Sequence, residues 1–354
     1  MIEKQNHTLA TSLNGGASFL FGHKEQLDFI LNCIQTSQIP NAWLFHGPAG
    51  IGKASLAINV ANVLSNVGFL KKDRLDHISE KDIRAPNVSA LSNNIFLCQR
   101  RWDDKKKLFQ KNISIDDIRE LSRKFSLSST DNSYKVCIVD TTEDLNVSAS
   151  NSLLKMLEEP PKKTLFILVS NNKQSILPTI LSRCQKIAFQ RLNEDDLRKI
   201  AMSSLQENQF DKLKKAGALT SCEGSVKKLL NFLDQDYIEF FNDMKGLLSD
   251  LPNLNRRKAI KLLAVNKKYL AYDDPDKSSF GVLLSLLASV AKNEIELVFN
   301  NKSVKNEINL IAAHLYAQIS LLRHEALEYN VDTKKVVFLA LTTIESAFAK
   351  HKKK

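Results

Sequence analysis

The sequence predicts an α/β domain built on a parallel sheet, followed by chain that is helical throughout. Three observations predict it. Short apolar runs at Ala42–His46, at residues 136–139 (Val-Cys-Ile-Val) and at residues 165–169 (Leu-Phe-Ile-Leu-Val) read as strands, the last two buried on both faces as in parallel sheets. The first run breaks into a glycine loop, Gly47-Pro-Ala-Gly-Ile-Gly-Lys53, and then into a helical pattern over residues 53–64, giving strand, loop, helix. Beyond about Leu192 the strand signals stop.

Taken in order, the helix expected over residues 149–157 lies between the second and third runs and is stopped by Pro160-Pro161. This alternation of strands and helices implies a phosphate-loop-like α/β domain over residues 1–192. Asn193-Glu-Asp-Asp-Leu197 reads as a helix start, a capping residue followed by acids that suit the positive end of the helix dipole. Residues 193–245 are expected to form a small helical lid, and residues 246–354 an all-α C-terminal domain for assembly. There Ile308, Ile311, Leu315, Ile319 and Leu322 repeat every three or four residues and make one apolar stripe. Residues 71–94 are polar and irregular and are expected to be a mobile excursion.

Glycine, four residues, Gly-Lys and then Ser or Thr is the pattern of a nucleotide phosphate loop. Backbone N–H groups hold the phosphates, the lysine neutralises charge and the hydroxyl ligates magnesium. Gly47, Pro48, Gly50, Gly52 and Lys53 supply the cradle, but Ala54 stands where the hydroxyl is needed. Ser55 cannot replace it, because consecutive helical residues are rotated by about 100°. The second strand ends in Asp140-Thr141-Thr142-Glu143. Asp140 fits the carboxylate that positions magnesium, whereas Thr141 is a poor substitute for the acid that orients an attacking water. Glu143 reads as a solvated or capping residue. Two defects in one site predict little or no ATP hydrolysis, with Gly47, Gly52 and Lys53 still compatible with residual ATP binding and no cofactor required.

With 354 residues, the chain suits two or three domains, and its 50 Lys and Arg against 39 Asp and Glu give a formal charge of +11. A pI of about 9.3 fits a polyanionic neighbour such as nucleic acid, and fits a merely solvated basic surface equally well. The cluster Arg100-Arg101-Trp102-Asp103-Asp104-Lys105-Lys106-Lys107 combines cations with an aromatic, yet its aspartates favour a solvated face over a single-strand grip. The tail 351–354 is expected to be solvated. Five widely spaced cysteines, Cys33, Cys98, Cys137, Cys184 and Cys222, form no Cys-x-x-Cys pair and predict reduced, mostly buried thiols. No apolar run approaches the roughly 20 residues of a membrane span, and no signal-peptide core is seen, so a cytoplasmic protein is expected.

Gly47-Pro-Ala-Gly-Ile-Gly-Lys53, then Asn151-Ser-Leu-Leu-Lys-Met-Leu-Glu-Glu-Pro-Pro161, then Thr179-Ile-Leu-Ser-Arg-Cys184, in that order, resemble the AAA+ subunits of bacterial DNA polymerase III clamp loaders. Within that family Ala54 and Thr141 point to the delta-prime type rather than to the gamma/tau ATPases. The resemblance implies a trans-acting arginine finger at Arg183, a sensor 1 position at Asn171, and a sensor 2 position at Lys227 within Gly224-Ser-Val-Lys227. Lysine lacks the guanidinium fork usual at sensor 2. It also implies partners: gamma/tau and delta subunits, with the sliding clamp and primer-template DNA reached through the complex. Many clamp-loader subunits carry a four-cysteine zinc module after the phosphate-loop helix; residues 65–97 hold no cysteine, so no zinc is expected. The alternative kept beside this reading is a catalytically active gamma/tau-like ATPase. A third is a nucleic-acid-binding module that keeps the phosphate-loop fold only as scaffold.

Overall fold

The structure is a computed structural model that describes residues 21–65, 75, 78–84, 94–103, 108–126, 134–204, 210–211, 218–232, 235–251, 253–266 and 331–351, with isolated residues between 270 and 326. The chain divides into two compact units, Met1–Ser204 and Leu205–Lys354.

In the first unit five strands form one sheet: β1 (Ala42–His46), β2 (Ile95–Cys98), β5 (Lys135–Asp140), β6 (Thr164–Ser170) and β7 (Gln185–Ala188). They lie in the order β2-β5-β6-β1-β7, and every pairing is parallel. The three expected strands are the central ones. Their side chains alternate between two buried layers, which is why they read as unbroken apolar runs. Trp43, Phe45, Ile138, Ile167 and Val169 pack with helices α1 (Lys24–Gln35) and α2 (Lys53–Ser65). Leu44, Cys137, Val139, Phe166 and Leu168 face the opposite layer, with α4 (Ile115–Ser126) and α5 (Val147–Glu158). Helix α5 starts on an Asn146 side chain that accepts the Ala149 N–H at 2.8 Å.

Two strands of this sheet escaped the sequence reading. β7 is the sheet edge, where only Ile187 is buried and Lys186 is exposed, so it carries polar residues that discourage further pairing. β2 is short and half-buried. The excursion expected over residues 71–94 is corrected in part. Its residues Glu80–Arg84 form a short helix, α3, and Ile78 and Ile83 are buried in the core beside α2, because apolar residues this close to the sheet gain by leaving water. Most of the rest of that segment lies outside the described residues.

The basic cluster takes a definite form at the surface. Trp102–Asp103 (β3) pairs antiparallel with Leu108–Phe109 (β4), and the Trp102 and Phe109 rings meet edge to face at 5.0 Å. Arg100 pairs with Asp144 at 3.0 Å and Arg101 with Asp117 and Glu120, so these two guanidiniums are engaged by carboxylates while the side chains of Arg100, Arg101 and Trp102 all stay more than a third exposed, as a solvated face requires. Residues 104–107 lie outside the described residues. Helix α7 (Glu194–Ser204) begins as expected, with the Asn193 side chain accepting the Asp196 N–H at 2.7 Å.

The described residues of the second unit are helical, with no strand among them: α8 (Ala218–Ser221), α9 (Val226–Asn231), α10 (Gln235–Ser249), α11 (Arg256–Val265) and α12 (Thr333–His351). Phe232 packs edge to face on Tyr237 and Phe241, centroids 5.3 and 4.9 Å away. Glu345 on α12 accepts the Leu254 N–H and pairs with Arg256, both at 3.1 Å, which ties α12 to the start of α11. Of the apolar stripe, Leu315 and Ile319 are buried and Leu322 is half-buried; Ile308 and Ile311 lie outside the described residues.

Candidate functional site

The phosphate loop leaves the sheet where β1 ends between its two neighbours, with His46 opposite Ser170 of β6 and Ala188 of β7. Gly47 N–H donates to the Ser170 carbonyl at 3.2 Å, and Phe189 N–H donates to the His46 carbonyl at 2.8 Å. Gly47 therefore passes against the backbone of Phe189. It has φ +152°, and a Cβ built on it would lie 2.2 Å from the Phe189 carbonyl oxygen, so a side chain is excluded there. Gly50 and Gly52 turn the loop at φ +75° and +101° before α2 begins at Lys53. This places the loop at the carboxyl ends of the strands, the end at which open parallel sheets bind ligands.

Lys53 is 4% exposed. Its ammonium donates to the carbonyls of Gly47 at 2.8 Å and Pro48 at 2.5 Å, and to Asn171 Oδ1 at 3.0 Å. All three donors of the ammonium are thus taken up by the loop itself and by the residue after β6. Burial pulls the Lys53 pKa from 10.5 down to about 8, with Asp140 and Glu143 opposing the fall. The structure therefore brings together Gly47, Pro48, Lys53, Asp140 and Asn171, five of the residues picked out from sequence.

The shifted lysine has a measurable consequence. Because its folded pKa lies below the unfolded one, the native state releases the proton first as pH rises from about 8 towards 10.5, and folding stability grows over that window. Compared with Lys53→Met, the wild type should gain on the order of 3 kcal/mol between pH 7 and pH 10.5. Denaturant midpoints of the two proteins at those pH values check this; a constant difference between them would contradict the buried, charged lysine.

The Asp140 end of the site departs from an ATPase in a specific way. Thr141 spends its hydroxyl on Asp144 Oδ2 at 2.8 Å, and Thr142 donates to the Val169 carbonyl at 3.0 Å. Glu143, read from sequence as solvated or capping, is instead half-buried. Its Oε1 accepts the Asn171 N–H at 2.8 Å, while Oε2 is buried without a hydrogen-bond partner among the described residues. The reason is that the turn of residues 142–144 folds back beside the end of β6, a long-range packing that no local pattern announces. Ala54 offers only a methyl group.

Sequence reasoning also missed His23. Its Nε2 lies 2.8 Å from the Ile51 carbonyl and its ring packs edge to face on Phe189 at 5.0 Å, so it braces the far side of the loop. Burial lowers its pKa, with the Ile51 carbonyl and Asp196 pulling the other way, which favours a neutral ring donating through Nε2. A single histidine outside any motif gives no signal of this in sequence. Four of the five cysteines are buried, and burial raises the Cys98, Cys184 and Cys222 pKa values to about 12, which keeps those thiols protonated.

Arg183 sits elsewhere. Register pairs His46 with Ala188 and Trp43 with Gln185, so Arg183, two residues before Gln185, lies at the amino ends of the strands. The phosphate loop lies at their carboxyl ends, on the order of 10 Å further along at about 3.3 Å per residue. Arg183 follows a turn of helix, α6 (Pro178–Leu181), and its side chain is 38% exposed. Lys227, in the second unit, is an exposed residue of α9; the neighbouring Lys228 is buried and pairs with Glu223 at 3.0 Å.

Residues 22–193 match the family model described as DNA polymerase III, delta subunit. The chain is 28% identical over 217 residues to DNA polymerase III subunit tau of Bacillus subtilis, covering 60% of this chain and 36% of that protein. It is 27% identical over 244 residues to DNA polymerase III subunit gamma of Buchnera aphidicola, covering 65% of this chain and 63% of that one. A solved structure described as a DNA polymerase III gamma subunit-related protein from Thermotoga maritima aligns with TM-score 0.42 and 18% identity, covering 91% of this chain and 99% of that chain. The chain thus spans little more than a third of the tau subunit's length and less than two thirds of the gamma subunit's. The sequence matches support a clamp-loader AAA+ kinship for this chain.

Proposed function

We propose, from the premise of that clamp-loader kinship, that this chain is a delta-prime-type subunit, one that lends Arg183 to a neighbour's ATP site and turns over no ATP of its own. The observation that carries this reading is the separation of the two functional ends. Arg183 lies at the amino ends of the strands and this chain's own phosphate loop at their carboxyl ends, which supports a phosphate on another molecule as the one Arg183 serves. Ala54 and Thr141 support the silent loop: one lacks a magnesium ligand, and the other spends its hydroxyl on Asp144.

In this proposal residues 1–192 form the AAA+ domain, 193–245 the lid and 246–354 the collar that joins gamma/tau and delta subunits in the cytoplasm. The sliding clamp and primer-template DNA are met through the assembled complex, which fits a net charge of +11. No cofactor is required. Asn171 and Lys227 occupy degenerate sensor positions, and Gly47, Pro48, Gly50, Gly52, Lys53 and Asp140 a degenerate nucleotide site.

One observation favours the second reading, an active gamma/tau-like ATPase. Glu143 brings a carboxylate to the Asn171 amide beside Lys53. A turnover assay on the purified chain with Mg-ATP separates the two. Little hydrolysis is expected; clear magnesium-dependent turnover that Glu143→Gln abolishes would replace the first reading with the second.

A further inference from the structure

The sequence strings 151–161 and 179–184 meet in space through one ion pair. Helix α5 ends at Glu158, just ahead of Pro160-Pro161, and Glu158 Oε1 lies 2.8 Å from Arg183 Nη2. Arg183 Nη1 donates to the Thr179 carbonyl at 3.0 Å and to Ser182 Oγ at 3.3 Å. Three of the five N–H groups of a guanidinium are then engaged among the described residues, and two are left for an incoming anion.

The surroundings fix this geometry from behind. Leu157, next to Glu158, and Ile180 and Cys184, flanking Arg183, are buried in one core cluster, so the two backbones are held at a set spacing. The pair itself stays on the surface, with side-chain exposures of 38% and 42%. At that exposure an ion pair contributes little to folding, so stability is a poor account of it. A long arginine side chain left unpaired would sample many rotamers, and an arginine that acts on a phosphoryl group has to be held in one of them when the group transfers.

We propose that Glu158 is a positioning residue for Arg183: it holds one edge of the guanidinium so that the remaining donors present outward towards the phosphoryl oxygens of a nucleotide on the neighbouring subunit. This inference rests on the trans-finger reading of Arg183. The carboxylate touches neither substrate nor nucleotide and acts through the arginine alone. The last carbonyls of α5 add to it, since the negative end of a helix favours a nearby cation.

The test uses the complex reconstituted from the full-length chain with gamma/tau and delta subunits, assayed for ATP hydrolysis at saturating clamp and primed DNA. Glu158→Ala should lower kcat at the site Arg183 serves by about ten- to a hundredfold, the size expected when a reacting group is slightly misplaced. Assembly on gel filtration, the melting temperature of the free chain and KM for ATP should not change. Glu158→Gln, which keeps the oxygen but not the charge, should fall between Ala and wild type. The double variant Glu158→Ala/Arg183→Ala should be no slower than Arg183→Ala alone, because both changes remove one action.

A wild-type kcat for Glu158→Ala, losses that multiply in the double variant, or a faster Glu158→Ala complex would each overturn the positioning role. The last outcome would make the carboxylate a brake. An unaffected Arg183→Ala would overturn the finger reading and this inference with it, whereas a slow Arg183→Ala beside a normal Glu158→Ala overturns this inference alone.

Discussion

Replacing Arg183 with alanine is expected to slow ATP hydrolysis at the partner's site by about 10³-fold or more, because a trans arginine stabilises charge that develops only as the phosphoryl group transfers. The free chain should fold as before. The side chain is more than a third exposed, and its pair with Glu158 at 2.8 Å is of the surface kind, worth about 0–1 kcal/mol. Single-turnover hydrolysis in the reconstituted complex, with the melting temperature and gel-filtration profile of the variant, tests both halves. If hydrolysis proceeds at the wild-type rate in an intact complex, Arg183 is an ordinary surface residue. Arg183→Lys should recover little of the loss, since a point charge does not reproduce the two-pronged contact of a guanidinium.

Gly47→Ala should produce the largest loss of stability of any single conservative change in the loop, on the order of 3 kcal/mol or more. The new methyl would fall 2.2 Å from the Phe189 carbonyl oxygen and 3.0 Å from its carbon, which are backbone atoms with little room to yield. Relief requires β1 and the start of the 189–192 segment to part, breaking the 2.8 Å hydrogen bond from Phe189 N–H to the His46 carbonyl. Denaturant unfolding compares the two proteins directly. A difference below about 1 kcal/mol would mean that the loop can relax away from Phe189.

What could be read in the sequence follows from where each residue's environment is decided. Ala42–His46 and the cores of β5 and β6 are covered on both faces, so burial itself writes an unbroken apolar run. β7 is an edge strand reading Gln-Lys-Ile-Ala, and the same solvent that protects it from mispairing removes its signature. The helix starts at Asn146 and Asn193 rest on contacts three residues apart, which is why the start at Asn193 was legible. The phosphate-loop residues were identifiable as a spaced set, whereas the bond from Lys53 to Asn171 spans 118 positions and closes only when β1 and β6 pair. Glu143 failed for that reason, since its place beside the Asn171 amide comes from the turn folding onto β6. Glu158 and Arg183 were both within strings that drew attention, yet only the shared core under Leu157 and Cys184 makes them neighbours.

The polarity of the sheet bears on how such molecules can line up. On the proposed reading, a body that gives at the amino ends of its strands and receives at the carboxyl ends joins its kin head to tail, not face to face across a two-fold axis. In the proposed assembly, a member that can give but has lost the means to receive suits the first place of such a row, where nothing stands behind it.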